Sequence, residues 1–271
     1  FTSIFNDEVI DEFADKVPYP WVLKPRSEAS ATGIKKLNSK EELWEVVNTL
    51  GEERHKFLLE SFKPGDVFHV DSLTFNKEIV FTSASQYLAP PMQVSHEGGV
   101  FRSKTLNRYS EEFKALEEAN RKVLINFGLQ NGATHTEFIR GKADGKWYFL
   151  ETSSRVGGAH IPDLVEASSG INIWREWAKI EDALLRNKSY EVAKPTGFSA
   201  GLIIALAKEL KPDYEEFECE EVVRFLQIDY HVGIVYKSDK MEMVQQRLDE
   251  AAEKINDHHL NILPQKSKPS S

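Results

Sequence analysis

Two glutamates, Glu137 and Glu151, are the residues of this sequence with the clearest chemical potential. They lie in two runs rich in apolar and β-branched residues, 133–140 and 146–152, which are joined through Asp144-Gly145 and predict a β-hairpin. If the pairing is centred on Asp144, Glu137 lies directly opposite Glu151, with about 4.5–5.5 Å between their Cβ atoms. Like charges that close destabilise a sheet, and a divalent cation relieves the repulsion. The pair therefore predicts a Mg²⁺ site, completed by water and phosphate oxygens.

Two further polar groups follow Glu151 along the chain. Strand side chains alternate, so Ser153 shares a face with Glu151, and Arg155 lies just beyond it. A hydroxyl and a guanidinium beside paired carboxylates suit the metal and the phosphates of a nucleotide. Taken alone, however, the hairpin is better explained by two solvated glutamates on its outer face.

A second cluster lies nearer the start of the sequence. Lys24 ends a short apolar strand and is followed by a loop of small residues, 27–33, that includes Ser30. Small residues let backbone N–H groups approach a polyphosphate, hydroxyls add donors, and lysine supplies a compact positive charge. The order of residues is not that of a Walker loop, and a plain surface turn accounts for the loop about as well.

A third cluster is formed by Glu60, Ser61 and Phe62, where an apolar strand runs into a turn. Exposed backbone at such a strand end can hydrogen-bond to the edge of an adenine ring, and a nearby acid or imidazole can reach the ribose. On its own, the segment predicts only a hairpin.

These clusters have to be positioned by an α+β arrangement. Helical periodicity predicts helices near 40–50, 113–127, 162–168, 173–186 and 241–255, with short strands between them. We expect a smaller lobe at about 16–83 and a larger lobe from about 84, which together make one domain over 1–190. We expect a C-terminal α+β extension, 191–265, to complete the larger lobe, and a disordered tail at 266–271.

Composition excludes several classes of protein. The sequence has 271 residues and a net charge of −9, which argues against general affinity for nucleic acids or anionic membranes. Its longest apolar stretch, 202–207, is far shorter than the ~20 residues of a membrane-spanning helix. The single cysteine, Cys219, favours a reducing compartment, so we expect a cytoplasmic protein.

In chain order, the three clusters resemble the ATP-grasp superfamily over residues 19–187. The matching pieces are Val22-Leu23-Lys24-Pro25, Leu59-Glu60-Ser61-Phe62, His135-Thr136-Glu137-Phe138 and Glu151-Thr152-Ser153-Ser154-Arg155 with the glycine turn after it. From Glu151 to Asn172 the sequence is similar to the carboxylate–amine ligase branch, which includes carbamoyl phosphate synthetase and amino-acid ligases.

The resemblance implies two α+β lobes that clamp ATP, and a Mg²⁺-dependent ligase for which Mn²⁺ is the alternative ion. Such a ligase joins a small-molecule carboxylate to an amine or thiol through an acyl phosphate. The implied roles are phosphate binding for Lys24 and Ser30, adenine binding for Glu60, Ser61 and Phe62, metal binding for Glu137, Glu151 and Ser153, and stabilisation of the transferred phosphoryl group by the catalytic Arg155.

The sequence departs from the family pattern at three places. Ser153 replaces an Asn, which weakens one contact to the metal or phosphate. The acid that often binds the ribose falls near Val67, so either Asp66 or His69 has to replace it or the contact is lost. The family also carries an upstream domain and a further nucleotide-binding lysine, so we expect an N-terminal domain of the same protein as a partner.

Two other functions stay open on the sequence alone. Ser153 and the departure at the N-terminal end are compatible with a nucleotide-binding module that has no turnover. A small-molecule kinase on the same scaffold would transfer the phosphoryl group to a hydroxyl and form no acyl phosphate.

Overall fold

The computed structural model describes residues 1–27, 33–91, 94 and 98–262. They form two compact units, each with its own sheet. The N-terminal unit comprises Phe1–Pro64 and the described part of Pro91–Gly98, and the larger unit comprises Gly65–Pro90 and Gly99–Ile262. Helices and antiparallel sheets are both present, so the predicted α+β class is confirmed.

Within its described residues, the N-terminal unit has a four-stranded sheet in the order β1-β4-β2-β3 and helices packed against it. Its elements are β1 (Thr2–Ser3), α1 (Asp7–Lys16), β2 (Trp21–Pro25), β3 (Lys35–Leu37), α2 (Lys40–Leu50) and β4 (Phe57–Ser61). Helix α2 begins where the sequence predicts, because the Ser39 side chain accepts a hydrogen bond from the Glu42 N–H at 3.2 Å. It ends at Gly51, whose φ of 50° lies in the left-handed region that favours glycine.

The larger unit is built on an eight-stranded antiparallel sheet in the order β11-β12-β10-β7-β6-β5-β8-β9. Its strands are β5 (Gly65–Phe75), β6 (Glu78–Tyr87), β7 (Phe101–Thr105), β8 (Gly132–Gly141), β9 (Trp147–Ser153), β10 (Ser199–Leu206), β11 (Val222–Phe225) and β12 (His231–Ser238). Its helices are α3 (Glu111–Asn126), α4 (Ile161–Ser169), α5 (Ile173–Leu185) and α6 (Met241–Lys254).

Helices cover both faces of this sheet. On one face α3 packs Phe113 and Leu116 against Phe68 and Phe138, and α6 packs against the β10–β12 end. On the other face α4 and α5 pack against Leu73, among others. Alternation along each strand therefore gives the sheet two apolar layers, and polar side chains inside either layer need hydrogen-bond partners.

The predicted division of the chain at about residue 83 is wrong. Strands β5 and β6, assigned to the smaller lobe from sequence, belong to the sheet of the larger unit. The physical reason is the long pairing of β5 with β8, which runs from Gly65 opposite Gly141 to Thr74 opposite Gly132. Local sequence carries no signal for a partner strand so far along the chain.

The segment 191–265 supplies β10, β11, β12 and α6 to the same sheet. Strand β7, at Phe101–Thr105, lies between β10 and β6 in this sheet. The predicted tail at 266–271 lies outside the described residues. Within the described ranges, no helix is both long and apolar enough to cross a bilayer.

Candidate functional site

Lys24 and Glu60 lie on the face of the N-terminal sheet opposite its core. Trp21, Leu23 and Leu59 point to the helices and are buried, so alternation turns Lys24 and Glu60 the other way. The Lys24 ammonium group lies 3.0 Å from Glu60 Oε2, and only 9% of the lysine side chain is exposed. The carboxylate of Glu60 offsets the cost of burying the ammonium group in this largely desolvated place.

Ser61 and Phe62 continue from Glu60 and are half-buried. The backbone N–H of Phe62 donates to the Pro20 carbonyl at 3.0 Å, and the Lys36 ammonium lies 4.3 Å from the centre of the Phe62 ring. An adenine contact in this segment would therefore use atoms other than the Phe62 N–H. Ser30, predicted to bind phosphate, lies outside the described residues.

Glu137 and Glu151 are direct partners in the antiparallel pairing of β8 with β9, as the sequence predicts. Beyond them the register shifts, because Phe138 pairs with Phe149 and leaves Leu150 as an extra residue on β9. With this bulge, Glu137 and Glu151 lie directly opposite each other on the two strands of the hairpin. Ser153, two residues beyond Glu151, lies opposite His135.

Two side chains hold the Glu137 carboxylate. The Tyr87 hydroxyl donates to Glu137 Oε1 at 2.8 Å, and His135 Nε2 lies 3.4 Å from the same oxygen. Burial alone would raise the pKa of Glu137, but the hydrogen bonds from His135 and Tyr87 outweigh it and hold this pKa below its usual value. Glu137 is therefore ionised at neutral pH, as a metal ligand has to be.

His135 is itself fixed by a buried carboxylate. Its Nδ1 lies 2.9 Å from Asp71 Oδ1, and the other oxygen, Oδ2, lies 2.7 Å from His69 Nδ1. His69 Nε2 lies 2.8 Å from the Ser103 hydroxyl. Burial of His135 alone would lower its pKa, but the charge and hydrogen bonding of Asp71, with a hydrogen bond to Glu137, raise it to about 10. The result is a continuous polar chain inside the sheet.

His69 is buried within the sheet, where it cannot make the predicted contact with ribose. The residue has no exposed surface, and both ring nitrogens face partners within the sheet. Its ring packs 4.7 Å from Tyr87 and 5.3 Å from His135, measured between ring centres. The prediction that His69 contacts ribose is therefore wrong for this arrangement. Asp66, the other candidate from sequence, is exposed.

Arg155 is exposed at the start of the loop that leads to α4, and its Nη1 donates to the Val156 carbonyl at 2.9 Å. The loop continues through Gly157 to Ala159 and His160, which both have left-handed backbone conformations. The guanidinium therefore follows the carboxylate hairpin directly and is available to an anionic ligand.

The donor set of the hairpin fits Mg²⁺. Glu137 and Glu151 present carboxylate oxygens at one register position, and Ser153 adds a hydroxyl on the same strand, which are the hard oxygen ligands this ion prefers. Possible ligand atoms of His69, Asp71 and His135 also lie within 4.8 Å of one another. That trio is buried, and its hydrogen bonds account for its geometry without an ion.

The comparison with known families identifies the class of protein to which this fold belongs. A family model of the ATP-grasp domain matches residues 17–163, and the chain belongs to the ATP-grasp family. The L-arginine-specific L-amino acid ligase of Bacillus subtilis is 26% identical over 182 residues, which are 64% of this chain and 43% of that protein. The chain thus spans less than half the length of this curated relative.

Solved structures show the same fold. The L-amino acid ligase from Bacillus licheniformis gives a TM-score of 0.66 at 21% identity, covering 94% of this chain and 66% of that one. The N5-carboxyaminoimidazole ribonucleotide synthetase from Thermus thermophilus gives 0.71 at 16% identity, covering 98% and 68%. At these identities the similarity establishes the ATP-grasp fold.

Sequence reasoning missed the residues that support Glu137, namely Asp71, Tyr87 and the role of His135. A signal was present in part. His69 and Asp71 stand at alternate positions in an apolar run, and His135 and Glu137 stand at alternate positions in the run 133–140, so each pair shares one face of a strand. Polar residues on a buried face require partners. Only the pairing of β5 with β8 identifies those partners.

Proposed function

We propose that this chain carries the nucleotide- and metal-binding residues of an ATP-dependent ligase that joins a small-molecule carboxylate to an amine or thiol. The observation that carries the proposal is the opposed pair of Glu137 and Glu151, with Glu137 kept ionised by Tyr87 and His135. Membership of the ATP-grasp family supports ATP as the co-substrate. The relative named for L-amino acid ligation supports amino acids as the substrates to test first.

The residues would divide the work as follows. Glu137, Glu151 and Ser153 would hold Mg²⁺, or Mn²⁺ in its place, and the bound ion would neutralise phosphate oxygens. Lys24, buried beside Glu60, would bind phosphate oxygens of ATP. Glu60, Ser61 and Phe62 would contact adenine, and Arg155 would stabilise negative charge on the transferred phosphoryl group.

The reaction would have two steps. A carboxylate oxygen of the substrate attacks the γ-phosphorus of ATP, the bond from phosphorus to ADP breaks, and an acyl phosphate forms. The amine then attacks the acyl carbon, phosphate leaves, and the nitrogen loses a proton. The products are an amide, ADP and phosphate. We place this chemistry in the cytoplasm, since a single cysteine, Cys219, suits a reducing compartment.

Trapping with hydroxylamine tests the proposal. The chain is incubated with ATP, Mg²⁺, hydroxylamine and a panel of amino acids, and we expect an amino-acid hydroxamate together with ADP. ADP formed without hydroxamate, in the presence of alcohol substrates, would indicate a kinase instead. Nucleotide binding without either product would reduce the chain to a binding module.

Glu151→Gln tests the metal assignment separately. The variant keeps the size of the side chain and removes its charge, so nucleotide binding that depends on Mg²⁺ should be lost in calorimetry. Exposed Glu181→Gln, on α5, is the matched control and should bind like the wild type. Unchanged nucleotide affinity in Glu151→Gln would contradict the assignment of Glu151 as a metal ligand.

A further inference from the structure

We propose that Asp71 is a positioning residue: through His135 it orients the metal carboxylate of Glu137, and through Gly157 it supports the loop that carries Arg155. This inference rests on the proposed function, because it takes Glu137 as a metal ligand. Asp71 lies on β5, fully buried, and contacts neither Glu137 nor Arg155 in any hydrogen bond described above.

The first step runs from Asp71 to Glu137. An ionised carboxylate only accepts hydrogen bonds, so the His135 Nδ1–H donates to Asp71 Oδ1. The imidazole ring is rigid, and fixing Nδ1 also fixes the direction of Nε2, which points to Glu137 Oε1. The Tyr87 hydroxyl donates to the same oxygen, so Oε1 of Glu137 is held by two groups.

The second step explains why Asp71 itself cannot turn. Its Oδ2 accepts from His69 Nδ1–H, and His69 Nε2 lies 2.8 Å from the Ser103 hydroxyl. Ser103 lies on β7, two strands away from β5 in the sheet. Hydrogen bonds on both carboxylate oxygens, anchored to different strands, fix the Asp71 side chain far more firmly than one bond would.

The third step runs from Asp71 to the loop of Arg155. A Cβ atom at Gly157 would lie 2.9 Å from His135 Nδ1, 3.0 Å from Asp71 Oδ1 and 3.1 Å from the Ile161 side chain. The backbone at Gly157 therefore rests directly on the hydrogen bond between His135 and Asp71. Glycine is needed there because of space, since its φ is not in the left-handed region. The buried pair of Asp71 and His135 therefore contacts both the carboxylate of Glu137 and the loop at Gly157, two residues after Arg155.

Asp71→Asn is the first variant. It keeps the shape of the side chain but replaces one acceptor with an NH₂ group that faces a ring N–H. Loss of a residue that helps to orient a metal ligand typically costs 10–100-fold in metal affinity. We expect Mn²⁺ to bind roughly 10–100-fold more weakly in the presence of a non-hydrolysable ATP analogue, measured by electron paramagnetic resonance.

The matched control is Ser72→Ala, at the next residue of β5. Ser72 is buried on the opposite face of the sheet and accepts a hydrogen bond from Asn120 at 2.8 Å. The control loses a buried hydrogen bond but should leave the Mn²⁺ affinity unchanged. If Asp71→Asn binds Mn²⁺ as Ser72→Ala does, the inference is overturned. If the wild-type chain binds no Mn²⁺ with nucleotide, the proposed function itself has failed.

Gly157→Ala keeps the inference testable if Asp71→Asn does not fold. The methyl group would press on the Asp71–His135 pair and shift the Arg155 loop, so kcat should fall roughly 10–100-fold while KM for ATP changes little. Gly158→Ala is the control, since a Cβ atom there meets nothing within 4 Å. Equal kcat values for the two variants would contradict the positioning role.

Discussion

Glu137 is kept ionised by neighbouring side chains, and among them His135 lowers its pKa the most. The imidazole lies between two carboxylates, Asp71 and Glu137, in a buried place. A charged group can stay there only because opposite charges and hydrogen bonds offset the cost of burial. The protonation of His135 is therefore linked to folding.

The first prediction is a pH dependence of stability. An unfolded histidine titrates near about 6.5, whereas the pKa of folded His135 is raised to about 10. Because the folded value is the higher one, the stabilisation is complete below about pH 6.5 and is lost as the pH rises through about 10. With EDTA present, the free energy of unfolding should fall over this range by up to about 1.4 kcal/mol per pH unit. Urea titrations should show a shallower fall in His135→Gln, and equal slopes would contradict the linkage.

The second prediction concerns Ser153. This half-buried residue lies opposite His135, on the strand that carries Glu151. The side chain of serine is shorter than that of asparagine. In Ser153→Asn the amide oxygen reaches further towards a bound ion, so Mn²⁺ affinity should rise by roughly fivefold, the worth of about one net hydrogen bond. Ser153→Ala should lower it. Calorimetry that shows no difference between the two variants would remove Ser153 from the metal site.

Among the elements, the β8–β9 hairpin shows which structural features can be predicted from local sequence. The turn at Asp144-Gly145 and the two strands could be predicted, and so could the pairing of Glu137 with Glu151. Near the turn, however, the pairs are Arg140 with Trp147 and Ile139 with Tyr148, which are centred before Asp144. The bulge at Leu150 restores the predicted pairing at the site. It could not be predicted, because packing against the rest of the sheet decides where an extra residue is accommodated.

The third prediction belongs to the contact of α6 with β10. A Cβ atom at Gly201 would lie 2.7 Å from Val244 Cγ1 and 2.8 Å from Leu248 Cδ1, so the helix sits directly on the strand. Gly201→Ala should push α6 away and cost about 1–3 kcal/mol of unfolding free energy. Gly197→Ala, where a Cβ atom meets nothing within 4 Å, is the control for the loss of a glycine. Equal denaturation midpoints would show that the helix adjusts freely.

For the molecule as a whole, the sequence predicted the family and most of the elements but misassigned one hairpin. The β5–β6 hairpin turns at Asn76 and Lys77, which have the left-handed conformations that a tight turn requires. Its membership of the larger unit depends on pairing with β8, which begins at Gly132. Such long-range pairing leaves no local trace. For the same reason, the chain from Asp71 to Glu137 could not be assembled from sequence.

The fourth prediction follows from the net charge of −9. The field of an acidic protein repels polyanions, so nucleotide binding should depend on local groups such as Lys24 and on the divalent ion. We expect no binding of a fluorescent single-stranded oligonucleotide at about 50 mM salt, measured by anisotropy. ATP analogue binding with Mg²⁺ should persist in the same buffer. Micromolar oligonucleotide binding that weakens with salt would contradict this expectation.

The polar chain from Ser103 through His69 and Asp71 to His135 also bears on how this protein can evolve. Its members lie inside the sheet, so none of them needs to change when exposed loops take up a different substrate. In a saturation mutagenesis map, these positions should tolerate as little variation as Glu137, whereas exposed loop positions vary. A lineage could then exchange the proposed carboxylate or amine substrate for another and keep the residues that support the proposed metal site.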